Sequence, residues 1–140
     1  MNQSRLKIYQ ATAIFSMLFA LLGFSYNVWR MEITEENSNV RTACFEILLE
    51  LSALEQLVYT LHYDQDPVGG SPRKGWVKVG LVQDLSMLTR SGISQEAKVL
   101  KQIWSDSWTT LDTNQSSVDR LINQIEEVRS EIKLTLKTLS

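Results

Sequence analysis

Residues 8–29, Ile8 to Trp29, hold no charged side chain over 22 positions. A helix needs about 20 mostly apolar residues to cross the hydrocarbon core of a bilayer, and this run is long enough. Arg5 and Lys7 stand just before it and Arg30 just after, with Tyr9, Tyr26 and Trp29 where interfacial aromatics belong. Three plans are open to such a chain. The run is an uncleaved anchor, a secretory signal cut after Gly23-Phe24-Ser25, or a helix buried in a soluble core. Its length and the lack of an Ala-x-Ala site favour the anchor.

Lys and Arg near the ends of a span set its orientation. Arg5, Lys7 and the terminal amine precede it, whereas Arg30 is followed quickly by Glu32, Glu35 and Glu36. The bias favours a cytoplasmic tail over 1–7 and an exported domain over 30–140. Residues 31–140 carry 11 basic and 16 acidic residues, a net charge of −5. A nucleic-acid binder usually shows a basic face, so no nucleic-acid partner is expected. The charge is also uneven. Eight acids and one base, Arg41, lie in 31–66, and six bases with two acids lie in 67–105. An acidic helix lying antiparallel to a basic return segment accounts for this, and such a pattern disfavours wrong pairings.

Val40, Cys44, Ile47, Leu51, Leu54, Val58 and Leu61 are spaced 4, 3, 4, 3, 4, 3. This is an unbroken heptad seam, and Leu48 and Leu57 widen it into a bundle face. No Pro or Gly lies between Arg30 and Asn39, so the membrane helix is expected to run on to residue 63, about 84 Å in all. Both prolines and three of the six glycines fall in 64–75, which reads as a loop. A second helix is predicted from Trp76 to about Thr89, with Val77, Leu81, Leu85 and Leu88 inward. A third follows the Ser91-Gly92 break, N-capped by Ser94, with Ala97, Leu100, Trp104, Trp108 and Leu111 inward. A fourth, after a turn at 112–116, repeats the heptad with Val118, Leu121, Ile125, Val128, Ile132, Thr135 and Leu139. Ser116 and Asp119 resemble its capping box. The expected fold class is all-α: one N-terminal transmembrane helix, then an up-down-up bundle of three limbs and four helices, the middle limb broken.

Gly70-Ser-Pro-Arg-Lys-Gly75 has the Gly-x4-Gly spacing of a phosphate-binding loop, but Trp76-Val77 replace the lysine and hydroxyl that such a loop needs. Arg73, Lys74 and Trp76 read instead as a partner contact on a loop. His62, Asp64 and Asp66 offer metal-ligand types, yet the helix must end before Pro67, and a loop-tethering role suits the two carboxylates better. Tyr59, Tyr63, Trp76, Trp104 and Trp108 could line a ligand pocket, although such residues more often fill cores. Cys44, the one cysteine, sits on the apolar seam, where a thiol is inert. Asn114-Gln-Ser116 matches a glycosylation sequon, which matters only in a eukaryotic secretory setting. No Ser–His or Cys–His motif appears, and no cofactor is expected.

The plan resembles the ligand-sensing bundles of bacterial chemoreceptors, bitopic scaffold subunits of envelope machines, and the inner-membrane spanins of phages. The likeness is of layout only and carries no site residues across. The expectation is a non-enzymatic bitopic protein of the bacterial inner membrane. It would touch lipid through 8–29, and its periplasmic bundle would bind another envelope protein or itself. A small-molecule sensing module is the alternative.

Overall fold

The computed structural model describes residues 3–139. Residues 1 and 2 of the expected tail, and residue 140 of the expected domain, lie outside that description. The described chain is all-helical, with α1 at Gln3–His62, α2 at Pro72–Ser86, α3 at Ser91–Ser107 and α4 at Gln115–Thr138. It divides into two compact units, Met1–Asn37 and Ser38–Ser140.

The first unit is the leading part of α1. Residues 3–7, read from sequence as a separate tail, already belong to this helix. It contains one stretch long and apolar enough to cross a membrane. Ile14, Phe15, Met17, Leu18, Phe19, Leu21, Leu22 and Phe24 are all 56–71% exposed. No other part of the described chain covers them, so the run is not buried in a core of this chain. Thr12 and Thr34 turn their hydroxyls back onto the carbonyls of Ile8 and Arg30, at 2.9 Å each. A polar side chain satisfied in this way sits within a helix without exposing an unmet donor.

The second unit is the bundle. All seven residues of the α1 seam are buried, none more than 6% exposed. Facing them are Val79 and Val82 of α2, Ile93, Ala97, Leu100 and Trp104 of α3, and Val118, Leu121, Ile125, Val128 and Ile132 of α4. Leu111 and Leu139 close the core from outside the helices, and Leu48, Ile122 and Leu136 flank it as their spacing requires.

The path through the bundle differs from the three-limb expectation. Lys78 of α2 pairs with Glu50 of α1, and the loop before α2 lies against Thr60 and Leu61, so α2 runs back down α1. Trp104, late in α3, meets Gly75 and Trp76 at the start of α2, so α3 runs back up. Gln124 of α4 bonds Glu96 of α3, and Gly92 lies beside Glu131, so α4 descends again. At its two ends α4 touches His62 and Arg41 of α1. Thus α2 and α3 form a hairpin, not one broken limb, and the bundle goes up, down, up, down. At 15 and 17 residues each crosses the bundle by itself.

Helix boundaries shift for identifiable reasons. Pro72 begins α2 because a first-turn position needs no N–H and suits the proline φ. Arg73, Lys74 and Gly75 are therefore helical, and the loop ends at Ser71. The inward face of α2 is Gly75, Val79, Val82 and Ser86, while Val77 and Leu81 are exposed, Leu85 is half-buried, and Leu88 is exposed in the turn after the helix. α3 starts at Ser91 with Arg90 at the N-cap, so Ser94 lies inside the first turn. Trp108 and Leu111 belong to the turn after α3. The cap of α4 is Asn114, whose Oδ1 accepts from the N–H groups of Ser116 and Ser117 at 2.9 and 3.3 Å. Ser116 is not the cap, and Asp119 instead takes the amide of Gln115 at 2.9 Å.

The Gly-x4-Gly spacing has a steric origin. A Cβ on Gly70 would lie 2.5 Å from the backbone nitrogen of Leu61. A Cβ on Gly75 would lie 2.1 Å from Cη2 and Cζ2 of Trp104. The two glycines let α1 and α3 approach the start of α2.

Two substitutions test this packing. Helix propensity alone makes Gly75→Ala stabilising by about 1 kcal/mol. The overlap with Trp104 should reverse the sign and cost about 1–3 kcal/mol, read as a lower midpoint in a thermal melt. Leu51→Asp would bury an unpaired carboxylate at a fully buried seam position. Its expected cost exceeds about 4 kcal/mol, and circular dichroism should show loss of the cooperative transition.

Candidate functional site

The three residues read as a partner contact do not act as a group. Arg73 and Lys74 are exposed in the first turn of α2. Cations there oppose the helix dipole, so they do not serve the stability of α2. Trp76 turns the other way. It packs half-buried on the core, edge-on to Trp104 and Trp108 with both ring centroids 6.4 Å away.

The five aromatics considered as one pocket separate into two groups. Trp76, Trp104 and Trp108 form the cluster just described, whose role is packing. Within it, Trp104 Nε1 and Ser107 Oγ are buried and find no hydrogen-bond partner. Tyr59, in the last turn of α1, and Tyr63, just past its end, lie together with centroids 5.7 Å apart. They face α4 across a cleft of about 270 Å³ that Val118, Asp119, Ile122 and Asn123 complete.

The cleft is framed by two polar systems. On one side Tyr59 donates to Glu55 Oε1 at 3.1 Å, and Glu55 Oε2 takes Arg129 at 2.6 Å. Arg129 also pairs with Glu126 and reaches Ser52 Oγ at 3.3 Å. Partial burial disfavours the charged form of Arg129, but the bonds to Glu55 and Glu126 outweigh it and hold the guanidinium above its ordinary range. Partial burial, together with the bond to Glu55, raises the Tyr59 phenol, so the ring stays neutral well above physiological pH.

On the other side Gln115 is the hub. Its Nε2 donates to Tyr63 Oη at 3.0 Å and to Asp119 Oδ1 at 2.9 Å, and its Oε1 faces His62 Nε2 at 3.0 Å. His62 Nδ1 lies 2.6 Å from the carbonyl of Leu111. Gln65, held at φ 53°, donates its side-chain amide to the carbonyls of His62 and Asp112, the latter at 3.0 Å. These bonds tie the end of α1 to the turn before α4. Asp66 Oδ1 accepts from the N–H groups of Val68 and Gly69 at 3.0 Å each, so this carboxylate orders the loop. Among the described residues no three His, Cys, Asp or Glu side chains converge as a metal site would require.

The broad charge pattern reduces to few contacts. Among the described residues, Lys78–Glu50 at 3.2 Å is the one ion pair between acidic α1 and the basic return. Arg41, the lone base of the acidic stretch, donates to the Leu139 carbonyl at 2.7 Å beyond the end of α4. A cation there complements the helix dipole.

Sequence reasoning missed Gln65, Gln115, Asp119 and Asn123 as a group. They come from two segments, the loop after α1 and the start of α4, whose approach depends on the direction of α4. Asn114 carried a legible signal, since an Asn before Gln-Ser-Ser is a good N-cap.

No protein-family model, no curated protein and no solved structure matches this chain.

Cys44 is a free, buried thiol whose pKa burial pushes up. It should resist alkylation at neutral pH and react once denaturant opens the bundle, as a mass-spectrometric time course would show. Ser107→Ala removes a buried hydroxyl that bonds nothing, and Ala is the better helix former. It should raise stability by about 1 kcal/mol, measurable by urea unfolding.

Proposed function

We propose that this chain is a non-enzymatic bitopic membrane protein whose helical bundle binds another envelope protein or a second copy of itself. In this reading residues 8–29 anchor it in a bacterial inner membrane, with the N-terminus cytoplasmic and the bundle periplasmic. The anchor is supported by the exposed apolar face of α1, and the orientation by the placement of Arg5 and Lys7 against Glu32, Glu35 and Glu36.

One observation carries the interaction half. The outer side of α2 carries Val77 and Leu81, with Asp84 between them and the turn residues Met87 and Leu88, and these apolar side chains cover no core. Val77, Leu81 and Leu88 are 71%, 40% and 63% exposed, and Met87 beside them is 72% exposed. Apolar side chains clustered on a surface mark contact sites more often than scattered ones do. Arg73 and Lys74 edge this stripe at the start of α2, as the polar rim of an interface does. Charged rim residues change association rate more than affinity, so the stripe, not the two cations, holds the partner.

The anchor is tested by flotation of native membranes followed by alkaline carbonate. The chain should stay with lipid at full mass, and deletion of 8–29 should release it. A shortened, soluble product would mean that the segment is a cleaved signal. The interface is tested by brief crosslinking in membranes and mass measurement of the complex. The double variant Val77→Asp, Leu81→Asp should keep its thermal melt and lose about tenfold or more of the captured species. A complex of twice the chain mass identifies self-association, and unchanged capture by the variant overturns the assignment of α2.

A further inference from the structure

The cleft between α1 and α4 is separate from the α2 stripe and is built from different chemistry. Tyr59 and Tyr63 supply two aromatic rings at the end of α1 and just past it, and Asp119 and Asn123 supply a carboxylate and an amide one turn apart on α4. Val118 and Ile122 give the lining its apolar part. The two tyrosine hydroxyls are already engaged, by Glu55 and by Gln115, so the rings are fixed in place rather than free to turn away. A pre-positioned ring costs less entropy on binding than a mobile one.

The charge of this site is one-sided. Asp119 takes one neutral donor, Gln115, and forms no ion pair among the described residues. Arg129 and His62, near the cleft, already have partners, and Arg120 follows Asp119 on α4 with an exposed side chain. Arg129 is held by Glu55 and Glu126, and the ring nitrogens of His62 face Leu111 O and Gln115 Oε1. An anion would meet Asp119. A neutral apolar group would cover that carboxylate and the Asn123 amide without bonding them, which is unfavourable. A cation would find two tyrosine rings, a carboxylate and an amide among the lining residues.

We propose that this cleft binds an organic cation, an ammonium or guanidinium group, supplied either by a small amine or by a Lys or Arg side chain of a partner. At about 270 Å³ it is sized for the charged end of such a molecule and not for a drug-sized ligand. The assignment does not rest on the membrane or interface reading, because every lining residue belongs to the bundle unit.

The test uses the full chain in a neutral detergent, with backbone NMR shifts and calorimetry as readouts. Choline and arginine amide are the cationic probes, and 3,3-dimethyl-1-butanol is the uncharged analogue of choline. Saturable shifts centred on Asp119 and Asn123 are expected with both cations, with a Kd on the order of 1 mM, and none with the alcohol. Asp119→Asn keeps the shape and should weaken choline binding about tenfold, and Tyr63→Leu should weaken it several-fold. Equal binding of choline and the alcohol, silence with both cations, or an unaltered affinity in both variants would overturn the site. If a variant melts early, the comparison of choline with the alcohol on the native chain decides alone. A capped Gly-Arg-Gly peptide separates the two sources. Binding about tenfold tighter than arginine amide points to a partner chain, and equal or weaker binding points to a free amine. Choline binding with no crosslinked partner would count against the interface reading alone, and the reverse result against the cleft alone.

Discussion

An apolar stripe as long as the one from Val40 to Leu61 cannot be left in water. Each of its side chains gains about 1.5–3 kcal/mol by full burial, and a single helix has nothing of its own to bury them against. The remainder of the bundle answers that requirement. α2, α3 and α4 each turn an apolar face to the same interior, and the polar bonds are placed at the ends, where register is decided. Gly70 on Leu61, Gln65 on the His62 and Asp112 carbonyls, and His62 on Leu111 fix one end. Arg41 on Leu139 fixes the other. The middle is held by packing, with Glu50–Lys78 and Glu55–Arg129 at its edge.

The legible parts of this fold are those with long, regular periodicity. α1 and α4 repeat the heptad for several turns, and every seam position assigned from spacing is buried. α2 was harder because it is short and apolar on two sides. Val77, Leu81, Leu85 and Leu88 keep helical spacing as well as Gly75, Val79, Val82 and Ser86 do, and hydrophobicity by itself prefers the larger set. What decides is Trp104, whose ring fills the place a side chain at residue 75 would take. A glycine chosen for what lies above it has no signature in its own neighbourhood. The hairpin path was hidden for a related reason. A turn such as Met87–Arg90 reads the same whether the next helix continues or reverses, and the choice rests on contacts between distant residues such as Gly75 and Trp104.

The candidate sites divide along the same line. The buried thiol and the loop-ordering carboxylate Asp66 follow from local context and were visible. The aromatic residues were visible as types, but not as two groups, because their partition depends on the direction of each helix. The Tyr59–Tyr63 pair meets Asp119 and Asn123 only because α4 descends beside α1, placing residues some sixty positions apart at one level. Arg73, Lys74 and Trp76 show the converse. Their closeness in sequence suggested a unit, but within one turn of helix the two cations are exposed and the tryptophan packs on the core.

The parity of the bundle has a consequence of its own. Three traverses would leave the last residues at the far end from where the chain came in. Four return them, and Leu139 lies against Arg41. The connections at 63–71 and 108–114 share the opposite end, joined through His62, Gln65 and Leu111. A fusion made after Leu139 would therefore begin beside Arg41. The loop end, with the aromatic cleft near it, would stay clear of such a fusion.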